Sequence, residues 1–310
     1  MRVLFIFLDG VGLGVDDQGI NPFSKAKMPH LEDLLGGKKL LASSTAVESD
    51  FATLLALDPN LGVAGLPQSA TGQAALLTGL NVSAMIGEHY GPKPNPRIAE
   101  IIREDNIFKR LLQAGKSVAL LNAYPPRYFH GLESGKRLLS AIPLAVTSSG
   151  LGLFTKDDFY RQEAMSADFT GEGWRTMLGY KDAPVIPPSR AGQLLARLAE
   201  KSDFSMFEYW ASDYAGHGQE MTKAVELIEV LDQVLGGLVE SWNLDEGVIF
   251  ISSDHGNLED LSTRRHTSTL VPGIVIGNHR REFCDGLIDL TSVAPKIEEA
   301  VVGFNPIKKR

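Results

Sequence analysis

"VIFISSDHGNLED", residues 248 to 260, runs from a buried-looking strand, Val248 to Ile251, into an Asp-His-Gly turn trailed by Asn257, Glu259 and Asp260. An aspartate at the end of one strand is commonly a turn former or a helix cap. Here the ending recurs. VLFIFL (Val3 to Leu8) runs into Asp9-Gly10, and FSMFEYW (Phe204 to Trp210) runs into Asp213-Tyr-Ala-Gly-His217. In open α/β sheets ligands sit outside the carboxyl ends of the strands, so acids far apart in sequence converge there. Three such acids, two of them with a histidine one or four residues away, point to metal binding. Carboxylate oxygens and imidazole nitrogens are the donors that Zn²⁺, Mn²⁺ or Fe accept. A further histidine, His266 in "RRHTSTLVP", precedes the apolar run GIVI. The donors are then Asp9, Asp213, His217, Asp254, His255 and His266, more than one tetrahedral zinc takes. Two divalent ions are the simpler account, and paired ions suit phosphoryl-type displacement.

The rest of the chain supplies the frame. Apolar runs at 3–8, 117–121, 204–210, 248–251 and 273–276 alternate with helical patterns. NIFKRLLQAG (106–115) has apolar residues at 107, 108, 111 and 112 and a stopping glycine. Met221 to Trp242 repeats apolar residues at 224, 225, 228, 231, 235, 238 and 239. Such alternation predicts an α/β layered fold with a largely parallel central sheet. Between the proline pairs of "YPPRYF" and "VIPPSR" the chain is rich in Gly, Pro and Ser and lacks clean periodicity. This division gives a metal-binding α/β core from residues 1–125 plus 189–310, and a small inserted cap at 126–188.

Composition bounds the function. The 310 residues are 44% hydrophobic and 22% charged, as in an ordinary globular protein. A net charge of -8 argues against wholesale binding to nucleic acid or to an anionic membrane, so an anionic substrate needs local help from a metal. The single cysteine, Cys284, forms no internal disulfide and fits a reducing, cytoplasmic setting; it reads as a small packing residue. The N-terminal apolar stretch ends at Asp9 and is read as a first strand, too short for a signal peptide or a membrane span.

A nucleophile is on offer in "LPQSATGQAALLTG", residues 66 to 79, where Ser69 and Thr71 sit in a turn before a helix-prone run. A hydroxyl at a helix N-terminus meets unpaired N–H groups and the positive end of the helix dipole, which favour an incoming phosphate.

Taken jointly, these motifs resemble the alkaline phosphatase superfamily, and within it the cofactor-independent phosphoglycerate mutases and phosphopentomutases. The resemblance rests on Asp9-Gly10, on Asp213 to His217 (D-x-x-G-H), on Asp254 to Asn257 (D-H-G-N) and on His266 to Pro272 (H-T-x-x-x-V-P). The stretch "SATGQAALLTG" is similar to the nucleophile segments of the sulfatases and of the mutases, and both select Ser69 over Thr71. "MPHLEDLL" looks like the superfamily's early helix start, which makes His30 structural. The matched motifs span residues 1–125 and 190–276.

The resemblance implies an alkaline-phosphatase-like three-layer sandwich. It also implies one metal on Asp213, His217 and His266, and a second on Asp9, Asp254, His255 and the Ser69 oxygen, with zinc or manganese as the expected ions. Ser69 then attacks phosphorus in line, and the phosphoserine passes to water or to a second substrate hydroxyl. A mutase must shield its phosphoenzyme beneath a substantial cap. The insertion here is smaller, and Gln73 stands where those mutases carry histidine and the sulfatases arginine. A phosphoester hydrolase acting on a small phosphorylated substrate is therefore the favoured expectation. A phosphomutase is the alternative, supported by "EAMSADFTGEGWR", which is similar to a mutase segment near Met165; a non-catalytic metal-binding scaffold is a second alternative. For substrate contact the candidates are His89, Lys93, Arg127, Arg264 and Arg265, whose charges suit phosphate or carboxylate. Asn257 and Glu259 are candidates for orienting the metal ligands.

Overall fold

The computed structural model describes residues 1–303. Its strands are β1 (Arg2–Leu8), β2 (Val47–Glu48), β3 (Ala52–Leu57), β4 (Val118–Leu120), β5 (Ala123–Tyr124), β6 (Phe154–Thr155), β7 (Phe204–Tyr209), β8 (Gly247–Ser253) and β9 (Val271–Ile276). Seven of them form one sheet in the order β2-β3-β9-β8-β1-β7-β4. The β4, β7, β1 and β8 strands are mutually parallel. The GIVI strand, read above as part of a largely parallel sheet, is β9 and runs antiparallel to β8; β3 in turn runs antiparallel to β9. The sheet is mixed and mostly parallel.

Period-two alternation explains the layers. From β1, Leu4, Ile6 and Leu8 enter one core with the helices Pro29–Leu34, Pro188–Ala199 and Met221–Ser241. Val3, Phe5 and Phe7 enter a second core with the helices Ser69–Thr78, Pro96–Glu104, Ile107–Gln113 and Val293–Val302. Both faces of the parallel strands are therefore covered, which is why they read as unbroken apolar runs. Full burial of one such side chain contributes roughly 2–3 kcal/mol.

Several polar residues inside the layers have partners. Asp232, buried in the middle of the Met221–Ser241 helix, accepts the backbone N–H groups of His30 (3.2 Å) and Leu31 (2.8 Å) and so caps the neighbouring helix Pro29–Leu34. The His30 ring packs against Gly236 of the same long helix. Cys284 ends a short helix, Arg280–Cys284, and is half-buried, with burial pushing its thiol up to about 11.

The segment 126–188 divides in two. Its helix Ala141–Ser148 packs into the second core beside Pro96–Glu104. Residues from about β6 onward gather around a small separate core of Ala123, Phe159, Ala164, Trp174 and Ala183. Phe169, from this part, stacks on Phe207 of β7 at 4.5 Å between ring centroids. Among the described residues no helix is long and apolar enough to cross a membrane.

Candidate active site

Strand register brings the acids together. Leu8 pairs with Tyr209 on one side and with Ser253 on the other, so Asp9 and Asp254 leave adjacent strands side by side. Beyond β7 the chain turns straight into the helix Ala211–Gly218, whose first turn carries Asp213 and whose last carries His217. These residues are four apart and share one helix face, with His217 Nε2 3.3 Å from Asp213 Oδ2. His266 comes in on the loop before β9, its Nδ1 2.9 Å from the carbonyl of Pro67 and its Nε2 3.7 Å from Asp213 Oδ1.

Two groups of donors result. Ligand atoms of Asp213, His217 and His266 lie within 4.8 Å of one another, as do those of Asp9, Asp213 and His255. Asp213 thus belongs to both. Asp254 stands beside the second group, its Oδ2 3.6 Å from His255 Nε2. The His255 and His266 rings stack at 3.7 Å, placing the groups next to each other.

Ser69 is the first residue of the helix Ser69–Thr78, and its hydroxyl lies 3.1 Å from His255 Nε2. Thr71 is occupied elsewhere, its hydroxyl donating to the carbonyl of Gln68 and accepting the N–H of Tyr90 at 3.1 Å. The helix approaches β8 so closely that a Cβ at Gly72 would lie 2.8 Å from the carbonyl of Asp254. Only glycine allows that approach, and it brings Ser69 to the acids. Gly256, read from the sequence as the residue that lets the chain turn, is needed for a different reason. A Cβ there would meet Thr267, Glu259 and Thr269 within 2.5 Å.

Electrostatics show what the site would bind. Burial, and then the neighbouring Asp254, hold Asp9 well above the ordinary carboxylate range. Burial likewise raises Asp254, against the pull of His255 and of the Gln73 amide. Burial alone would lower His255, but Asp254, Asp9 and Asp213 outweigh it and push the imidazole up to about 10. Burial and the adjacent His255 push His266 down to about 4. One oxygen of Asp9, Oδ1, is buried with no polar partner nearer than His255 Nε2, at a long 3.4 Å. Clustered carboxylates, a weakly paired acceptor and oxygen and nitrogen donors a few ångströms apart are what a divalent cation relieves, so the residues fit the ions that the sequence implies.

The surrounding bonds fix the donors. The Asn257 amide donates to Asp213 Oδ1 at 2.7 Å. Glu259, also buried, accepts from the N–H groups of Gly12 (2.9 Å) and Asn257 (2.8 Å) and from the hydroxyls of Thr267 and Thr269, tying three loops together. The carbonyl of Arg264 lies 2.8 Å from His217 Nδ1.

Two residues were not assigned a role from the sequence. Gln73 donates its amide to Asp254 Oδ2 at 3.0 Å. Glu208 on β7 is buried, accepts the Tyr124 hydroxyl at 3.3 Å, and is raised by burial to about 7. Its signal was available, a lone acid inside the apolar strand FSMFEYW.

The side chains of the substrate-contact candidates bond elsewhere or face solvent. His89 is held between Ser83 Oγ (3.1 Å) and the carbonyl of Val63 (3.2 Å). Lys93 donates to the carbonyl of Leu138 at 3.0 Å, while Arg127, Arg264 and Arg265 are exposed.

Sheet and site together define an α/β protein with clustered metal-type donors. Residues 190–300 match the family model described as the Metalloenzyme superfamily. Curated relatives include the 2,3-bisphosphoglycerate-independent phosphoglycerate mutase of Helicobacter hepaticus, 27% identical over 134 residues covering 39% of this chain and 26% of that protein. The enzyme of the same name from Synechococcus elongatus is 32% identical over 112 residues, 34% of this chain and 21% of its own. The chain thus spans only about a quarter of these relatives' length. Among solved structures, the PH0037 protein from Pyrococcus horikoshii superposes with a TM-score of 0.59 at 16% identity, covering 98% of both chains. The alkaline phosphatase of the Antarctic bacterium TAB5 gives 0.54 at 15% identity, also over 98% of both. The Leishmania mexicana phosphoglycerate mutase gives 0.51 at 12% identity over 100% of this chain and 96% of that one. Over residues 190–300 the chain is similar to the Metalloenzyme superfamily, and over nearly its whole length it shares the fold of the alkaline phosphatase from TAB5.

Proposed function

We propose that this protein is a metal-dependent phosphoester hydrolase that forms a phosphoserine at Ser69. The observation that carries the reading is the Ser69 hydroxyl at a helix N-terminus, 3.1 Å from His255 Nε2 and beside two groups of metal-type donors. Asp213, His217 and His266 would hold one divalent ion, and Asp9, Asp254, His255 and the Ser69 oxygen a second; bound there, such ions neutralise phosphoryl oxygens and make a hydroxyl nucleophilic near neutral pH. Ser69 supplies the attacking oxygen, and the first turn of its helix offers N–H groups to the phosphate. Asn257 and Gln73 hold Asp213 and Asp254 in register. The part of 126–188 that lies outside the second core, from about β6 onward, serves as the cap.

Hydrolysis is preferred to a mutase reaction because a cap of that size leaves the phosphoserine open to water. The mutase reading is favoured by the names of the curated relatives and by the likeness of EAMSADFTGEGWR (163–175) to a mutase segment. The test is a screen of phosphomonoesters, phosphodiesters and phosphosugars with added Zn²⁺ or Mn²⁺, run beside Ser69→Ala. Turnover that Ser69→Ala abolishes, with ¹⁸O from water in the released phosphate, supports the hydrolase. An isomeric phosphosugar formed without free phosphate replaces that reading by the mutase. Bound ions without turnover of any ester replace it by the scaffold.

A further inference from the structure

The helix Ala211–Gly218 presents more than its metal-type donors. Counting at 100° per residue, Trp210, Asp213, Tyr214 and His217 fall on one face. Trp210 is 37% exposed and Tyr214 72% exposed, and their rings meet edge to face at 5.2 Å, which leaves ring faces uncovered. Tyr214 directly follows Asp213, and the other rim of this face carries the exposed Arg264, whose carbonyl contacts His217. From Trp210 to His217 the helix rises about 10 Å, a span that a nucleoside 5′-phosphate bridges.

We propose that Trp210 and Tyr214 form a platform on which an aromatic ring in the ester group of the substrate stacks while its phosphate lies at Ser69. The inference rests on the phosphoester reading and sharpens it: the preferred substrates are aryl or nucleoside phosphates rather than phosphates of aliphatic alcohols. An aromatic face beside a phosphate site suits such rings because stacking tolerates any planar π system, and Arg264 adds a cation able to lie over one. Two large aromatics left open on the ligand-bearing helix are otherwise a loss of burial.

The test reads binding as well as turnover. Of the three tryptophans, Trp174 and Trp242 are buried and only Trp210 is exposed, so selective tryptophan quenching reports on this face. In the Zn²⁺-loaded protein AMP should quench the emission, and phenyl phosphate should displace AMP at least ~10-fold more effectively than ribose 5-phosphate. The kcat/KM values should follow the same order. Tyr214→Ala should remove most of the preference, and Tyr214→Phe should retain it; Tyr214 is exposed enough for both to fold. Displacement by other nucleoside phosphates but not by phenyl phosphate would assign the platform to nucleobases and still support it. Three outcomes overturn it: ribose 5-phosphate displacing AMP as well as the nucleoside phosphates do, an unchanged quenching curve in Tyr214→Ala, or self-association of the free protein that buries Trp210. AMP stacking in a protein that hydrolyses no ester would leave the platform standing and remove the hydrolase reading.

Discussion

Metal loading should expel protons, and the geometry says from where. In the metal-free fold His255 is the internal counter-charge of Asp9, Asp254 and Asp213, which hold its imidazole up to about 10. At pH 7 it is therefore protonated, and a protonated imidazole cannot ligate. Displacing that proton three pH units below its pKa opposes metal binding by roughly 4 kcal/mol. Apparent affinity for the ion at Asp9, Asp254 and His255 should accordingly rise about tenfold per pH unit between pH 7 and 9. His266, pushed down to about 4, is already neutral and releases nothing for the other ion. Calorimetric titration with Zn²⁺ in two buffers of different ionisation enthalpy measures the release directly, and at least one proton should leave for the pair of ions. A buffer-independent heat, with an affinity flat from pH 7 to 9, would refute the account of His255 as counter-charge. The same shift has a stability consequence. Because the folded pKa lies above the ordinary 6.5, this interaction stabilises the metal-free fold fully below about pH 6.5 and is lost as the pH rises through about 10.

Glu208 carries the opposite sign. Its pKa is raised from 4.5 to about 7, so its burial costs nothing below pH 4.5 and costs progressively more up to pH 7. Glu208→Gln should stabilise the metal-free protein by about 3 kcal/mol at pH 8 and by far less at pH 4.5, as read from urea unfolding at the two values. Gln73→Leu removes the donor at 3.0 Å from a buried Asp254 oxygen. It should cost about 1–3 kcal/mol of stability and weaken metal affinity about 10- to 100-fold, measured by equilibrium dialysis. Asp254→Ala should abolish activity together with occupancy of the ion at Asp9, Asp254 and His255. Asp260→Ala should do neither, since that carboxylate only accepts from Ser262 in an exposed turn; normal occupancy in the first variant or its loss in the second would contradict the site.

Much of this was legible because the local chemistry is repetitive. A strand buried on both faces writes itself as an apolar run, and a polar residue at its end stands out, as Asp9, Asp213 and Asp254 do. Less was legible where partners come from elsewhere in the chain. ATLLAL (52–57) went unread, although it forms β3 and lies against β9. The reversed direction of β9 carries no local mark, because an apolar run reads the same in parallel and antiparallel sheets. Gln73 registered only as a departure from related motifs, since nothing nearby in sequence shows that its amide meets Asp254, 181 residues away.

By itself the sequence determined the layered α/β class, the six donors and the helix-borne hydroxyls, since each follows from residue type and short-range spacing. Tertiary structure alone decided which donors share a group, with Asp213 in both and Asp254 alongside. It also set the Ser69 hydroxyl, already singled out over Thr71 by the motif resemblance, 3.1 Å from His255, and buried Glu208 within reach of the field of Asp254. The physical reason is register and packing. Distances of a few ångströms between strand ends depend on how β1, β7 and β8 pair and on how closely Gly72 lets a helix approach, and neither is encoded in any one stretch of chain.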